Sequence, residues 1–441
     1  MDTPIFDFIS TYVNSSTARL HMPGHKGKSF IGCEKYDITE IKGADSLFEC
    51  SGIIRESEEN ASRVFGSHTF YSTEGSSLCI RAMVYLVMLY AKENGKECVV
   101  LAPRNVHKTF LSAVALLDLK VEWIFSSENY LSCDITPEHL ESYIEIYNPT
   151  AVYLTSPDYL GNVLDIAAIS KICKKRGVLL LVDNAHGAYL KFLENSLHPC
   201  DLGADLCCDS AHKTLPALTG GAYIHISDDA PKVFLSNIKN ALSLFASTSP
   251  SYLILSSLDK INPYLDSIYK NELSGFIEKV DTLKKELLEF GYTLLGDEPL
   301  KITIRTLGFG YFGYDFAEMM RQGGFECEFS DKEHVVLMLT PQIKSDELQN
   351  LGRFLVSIER KLPIAENAPR FFPPKRNKSI REAALSPSEI LPVTKCLGKT
   401  IALSTVSCPP AVPILVCGEE VSEESIQVMS YYGIDELCVI K

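Results

Sequence analysis

The stretch CCDSAHKTLPALTGGAYIHI, residues 207–226, closes one apolar run, turns through a polar segment around Lys213, passes two glycines and enters a second apolar run. Both runs are short and bounded by turn residues, which reads as two buried strands. Working outward, the runs Cys98 to Ala102, Ala151 to Thr155, Val178 to Val182, Ala204 to Cys208 and Gly221 to Ile226 have the same character. Helical segments separate them: Ser76 to Asn94, nearly all apolar and stopped by Gly95, and a second that Asp165 caps and Gly177 closes. Strand and helix in alternation predict an α/β fold, a mainly parallel sheet sandwiched by helices. In such sheets ligands collect at the carboxyl ends of the strands, so Asn105, His107, Ser156, Asp183 and Ser210 are the positions to inspect.

Lys213 sits in the polar turn after one of those ends. A lysine in a turn is ordinarily a solvated surface residue. Partly desolvated beside a ligand site, its amine becomes neutral and nucleophilic, as Schiff-base chemistry requires. The segment VLLLVDNAHGAYL places Asp183 at the end of a continuous apolar strand, thirty residues earlier. A carboxylate there needs a partner, and the ring nitrogen of pyridoxal phosphate is one: a paired aspartate keeps that nitrogen protonated, so the ring can accept a carbanion's electrons. A structural salt bridge or helix cap is the alternative for Asp183. In FYSTEGSSLCIRA, Gly75, Ser76 and Ser77 open the long helix, and a helix amino terminus with adjacent hydroxyls suits a phosphate. His107, in APRNVHKTF, follows a strand and starts a helix, a place from which an imidazole can lie on an aromatic ring or simply cap the helix. Each element is weak alone; their order along one α/β chain is what carries weight.

Composition bounds the alternatives. The chain has 441 residues, 46% hydrophobic and 22% charged, the proportions of a folded protein long enough for several domains. A net charge of −14 is not the footprint of a nucleic-acid binder. Fourteen cysteines lie scattered with no CxxC pair, so neither a metal site nor a disulfide framework is expected. The amino terminus lacks a basic start with an apolar core, and the most apolar stretch, Cys79 to Ala91, is too short to span a bilayer. A cytoplasmic protein with reduced thiols and no membrane partner is expected.

The sequence resembles, nearly end to end, the Orn/Lys/Arg decarboxylases of the aspartate-aminotransferase-like fold (fold type I). The resemblance runs through LHMPGHKG at 20–27, TEIKGADSL at 39–47, RNVHK at 104–108, TSPDYLGN at 155–162, DNAHGAYL at 183–190, SAHKTLPALTGGA at 210–222 and STSPSYL at 247–253. It implies that Lys213 carries pyridoxal 5'-phosphate, Asp183 pairs with its pyridine nitrogen, and His107 stacks on its ring. Gly75, Ser76, Ser77, Ser210 and His212 would surround the phosphate, and His186 would lie beside the ring. It also implies a homodimer or a multiple of dimers, with Thr248 reaching the partner's cofactor. Departures are Asn184 where the family has an acidic residue, Ala211 where it has threonine, and Ala411 where glycine is common. The chain resembles the compact branch of the family, without an amino-terminal wing domain.

The division expected is an amino-terminal arm at 1–60, a large cofactor-binding domain at 61–280, a small α/β domain at 281–367 and a tail domain at 368–441, which a proline-rich connector, APRFFPPKRN, introduces. The activity implied is decarboxylation of a basic amino acid, arginine first, then lysine or ornithine, giving a polyamine-type amine. His212 or Lys213 itself would return the proton to the α-carbon. Another fold-type-I reaction, transamination or lysis, uses the same lysine and aspartate, and a silent polyamine-binding relative is the non-enzymatic alternative. The HMPGHKG loop has no assigned part.

Overall fold

The computed structural model describes residues 1–125, 132, 135–366, 368–370, 372–404 and 412–441; Ala411 lies outside them. In chain order the strands are β1 His68–Ser72, β2 Val99–Pro103, β3 Lys120–Ile124, β4 Ala151–Thr155, β5 Leu179–Asp183, β6 Leu206–Asp209, β7 Ala222–Ile226, β8 Thr293–Leu295, β9 Lys301–Arg305, β10 Phe329–Ser330, β11 His334–Met338, β12 Ser388–Pro392, β13 Ile401–Leu403 and β14 Glu436–Ile440. The chain gathers into two compact units, Met1–Glu97 with Ile166–Ser274, and Cys98–Asp165 with Gly275–Lys441.

In the first unit the strands run β1-β7-β6-β5. β5 and β6 are parallel, with Asp183 opposite Cys208. Both are buried throughout, which is why they read as unbroken apolar runs. β7 departs from the parallel pattern: it is antiparallel to β6, with Cys207 opposite His225. The link between them holds only the four-residue helix Ala211–Thr214, too short for the crossover that parallel neighbours need. The long apolar helix is observed at Gly75–Glu93, and the helix Tyr252–Ser267 adds a further buried face. Asp259 on that helix accepts from the backbone N–H of Ile5 and Phe6 with one oxygen and from Ser57 with the other. This carboxylate therefore pins the amino-terminal helix Pro4–Val13.

In the second unit β3, β2 and β4 form a parallel set with β2 in the middle. A four-stranded antiparallel sheet of order β10-β11-β9-β8 and a three-stranded one of order β12-β14-β13 complete it. Arg104, just past β2, forms a bidentate pair with Glu419, at 2.6 and 3.0 Å, and lies over Trp123. Both charged side chains are 5% exposed or less. Removing one partner strands the other charge away from water, so Arg104→Met is expected to cost about 3–5 kcal/mol of stability. A lowered urea midpoint at unchanged slope would register it. No helix among the described residues is long and apolar enough to cross a membrane.

Candidate active site

The first unit brings most of the predicted residues to the carboxyl ends of β5 and β6. Asp183, 2% exposed, ends β5. Its Oδ1 accepts from the Ala185 N–H at 3.3 Å and faces the Cys208 thiol at 3.6 Å. Burial first, and then the Asp183 charge, push the Cys208 thiol up, so it stays protonated and points a weak donor at the carboxylate. A buried carboxylate held this way suits a cationic ring nitrogen.

Three residues on, in the turn after β5, buried His186 places Nε2 2.9 Å from Lys213 Nζ. Lys213 itself is half-buried on the short helix Ala211–Thr214 that follows β6. One hydrogen serves this lysine–imidazole contact, so the neighbour can take or return the lysine's proton. The pair joins the Asp183 turn to the Lys213 helix.

A glycine turn fixes the other side. Gly75, at φ +69°, donates its N–H to the Gly220 carbonyl at 2.8 Å. The Gly221 carbonyl accepts from both the backbone N–H and the ring Nδ1 of His212, at 3.1 and 2.9 Å. Gly220 has φ +98°, and a Cβ there would stand 2.9 Å from the Thr73 carbonyl oxygen. Only glycine meets both demands. The turn thus holds the start of helix Gly75–Glu93 against the Lys213 helix. There the Ser210 hydroxyl donates to Ser76 Oγ at 2.8 Å, with Ser77 next in the same first turn. Hydroxyls and first-turn N–H groups at a helix start form an anion site.

Two further predicted residues lie on other elements. His107 belongs to the second unit, is exposed, and accepts through Nδ1 from the Thr109 N–H as the cap of helix Lys108–Leu117. Thr248 is exposed in the first unit. It follows Ser247, whose N–H donates to Glu74 Oε1 at 2.7 Å, directly before Gly75.

Sequence reasoning missed a buried network behind Ser210. Asp209 Oδ1 accepts from the Asn184 amide at 2.6 Å, while its Oδ2 faces Nε2 of both His198 and His225. The rule that singled out Asp183, a carboxylate at the end of an apolar strand, would have found Asp209 as well.

The residues present fit pyridoxal phosphate: a half-buried lysine against an imidazole, a buried carboxylate at the adjacent strand end, and hydroxyls at a helix start. The family described as Orn/Lys/Arg decarboxylase, major domain, matches residues 3–294. The uncharacterized protein YaaO of Bacillus subtilis is 28% identical, over 98% of this chain and 94% of its own length. An arginine decarboxylase of Halalkalibacterium halodurans is also 28% identical, over 96% of this chain and 92% of its own. Lysine decarboxylase A from Pseudomonas aeruginosa superposes at a TM-score of 0.82 with 17% identity, covering 99% of this chain and 80% of that one. This last likeness shows the fold, that of the fold-type-I enzymes.

Proposed function

Because the chain belongs to the Orn/Lys/Arg decarboxylase family, we propose that it releases carbon dioxide from the α-carboxyl group of a basic amino acid, arginine ahead of lysine or ornithine. As a member it is a pyridoxal-phosphate-dependent carboxy-lyase. The observation that carries the reading is the 2.9 Å contact of Lys213 Nζ with His186 Nε2, in the turn that Asp183 opens. Arginine comes first because the end-to-end match to the Halalkalibacterium halodurans relative is to an arginine decarboxylase.

When bound, the cofactor supplies an electron sink for the pair left behind by carbon dioxide. Lys213 would anchor it covalently. Asp183 would hold the proton on its ring nitrogen, and Ser76, Ser77, Ser210 and His212 would bind its phosphate around the first turn of helix Gly75–Glu93. His186 would exchange a hydrogen with Lys213 Nζ across their 2.9 Å contact. Lys213 Nζ or His212 Nε2 returns a proton to the α-carbon. The family resemblance implies that His107 would stack on the ring and that Thr248 would reach the cofactor of a second copy in a homodimer.

Incubating the holoenzyme separately with arginine, lysine and ornithine tests this. Carbon dioxide released in step with amine is expected, fastest from arginine. Keto-acid formation without carbon dioxide would replace decarboxylation with transamination, and preference for another of the three would move the substrate alone.

A further inference from the structure

Below the first-unit sheet end lies a cluster that the proposed reaction does not use. Cys207 and Asp209 alternate along β6 and so share one face. The antiparallel register sets His225 of β7 directly opposite Cys207, and the loop before β6 brings in His198. All four side chains are fully buried, and their ligand atoms lie within 4.8 Å of one another.

Their arrangement is that of a coordination shell. Both imidazole Nε2 atoms converge on the same oxygen, Asp209 Oδ2, at 3.2 and 3.1 Å, and Cys207 Sγ lies 3.8 Å from His198 Nε2. A tetrahedral zinc ion with nitrogen, oxygen and sulfur ligands spaces them about 3.3–3.7 Å apart. Asp209 and His225 also have the outer contact that such sites use, whereas His198 Nδ1 is buried without a hydrogen-bond partner. Asn184 holds the free carboxylate oxygen at 2.6 Å, and Thr69 Oγ1 lies 2.9 Å from His225 Nδ1, with Ser67 Oγ at 3.4 Å. Thr69 is within reach of the Ser67 carbonyl as a donor, at 3.2 Å. With its hydroxyl hydrogen so placed, it accepts from His225 Nδ1–H and leaves the Nε2 lone pair facing the cluster.

Charge points the same way. The wall around the cluster includes Phe65, whose ring centroid is 4.7 Å from His225 and 5.8 Å from His198. A divalent ion with one carboxylate and one thiolate is neutral overall, and this lowers the cost of burial.

We propose that His198, Cys207, Asp209 and His225 bind one structural divalent transition-metal ion, zinc by the softness of the set, which staples β6, β7 and the loop before β6. Cys200, whose Sγ is 3.3 Å from that of Cys207, lies next to the site and can donate to the bound thiolate. Being enclosed, the ion enters as the chain folds. No C-x-x-C or H-x-x-H spacing announces the site, because strand register and a loop assemble it.

The test is elemental analysis of untagged holoenzyme, with circular dichroism of the same samples. About one zinc per chain is expected, as is a thiolate-to-cobalt absorption band after unfolding and refolding with cobalt in place of zinc. In Cys207→Ser the cobalt band should vanish, and in His225→Gln the bound metal should fall at least about tenfold. A substoichiometric trace in the unaltered protein, persisting after refolding with zinc, overturns the proposal in favour of a hydrogen-bonded Asp–His network. So does a refolded cobalt sample without the band. These readings on the unaltered protein decide even if a variant does not fold, and none depends on decarboxylase activity.

Discussion

Lys213→Ala is expected to lower carbon dioxide release by at least about 10³-fold, the largest effect of any single change in this chain. In the proposed mechanism the amine at this position is the covalent anchor for the cofactor and a proton carrier at the α-carbon, and in the structure it is the partner of His186 Nε2 at 2.9 Å. Losing it therefore removes several contributions that act as a unit. The fold should survive, because the residue is half-buried and its short helix is held by His212 and Gly221 through backbone and ring contacts. The absorption band of the lysine-bound cofactor should disappear with the activity. A variant that turns over at the unaltered rate would remove Lys213 from the mechanism.

Asp183→Ala is expected to lower kcat on the order of 10²–10³-fold with little change in KM. In the proposed role its carboxylate would stabilise charge that develops only as the bond breaks, so the loss would fall on the chemical step and not on substrate binding. Asp183→Asn keeps the shape, and the Ala185 N–H can still be accepted, but the charge is gone. If the asparagine variant kept most of the activity, position and not charge would be what Asp183 supplies. Rate measurements on both variants, with cofactor content measured alongside, separate these outcomes.

Much of the sheet was legible. Runs read from the sequence fall within one or two residues of β2, β4, β5, β6 and β7, because strands buried on both faces leave an unbroken apolar signature. β1 and β3 escaped. Each pairs with a single described neighbour, and β3 carries Lys120 and Glu122. Alternation over five residues is a faint signal. The sense of β7 escaped too, since apolar character reports burial and not direction. In the site, Asp183 and Lys213 stood out because each breaks an apolar or turn pattern with a charge. The contact between Lys213 and His186, and the convergence of His198, Cys207, Asp209 and His225, depend on strand register and turn geometry, which a linear pattern does not encode.

The buried pairing of Arg104 with Glu419 couples positions 315 residues apart in the chain. Its guanidinium cannot be satisfied until Glu419 has emerged from the ribosome, so the second unit completes its interior only after that segment has been made. Shortened forms ending before position 419, whether from a premature stop or from protease nicking, would expose this dependence as insolubility and rapid turnover, although β2 and the segment around it remain intact.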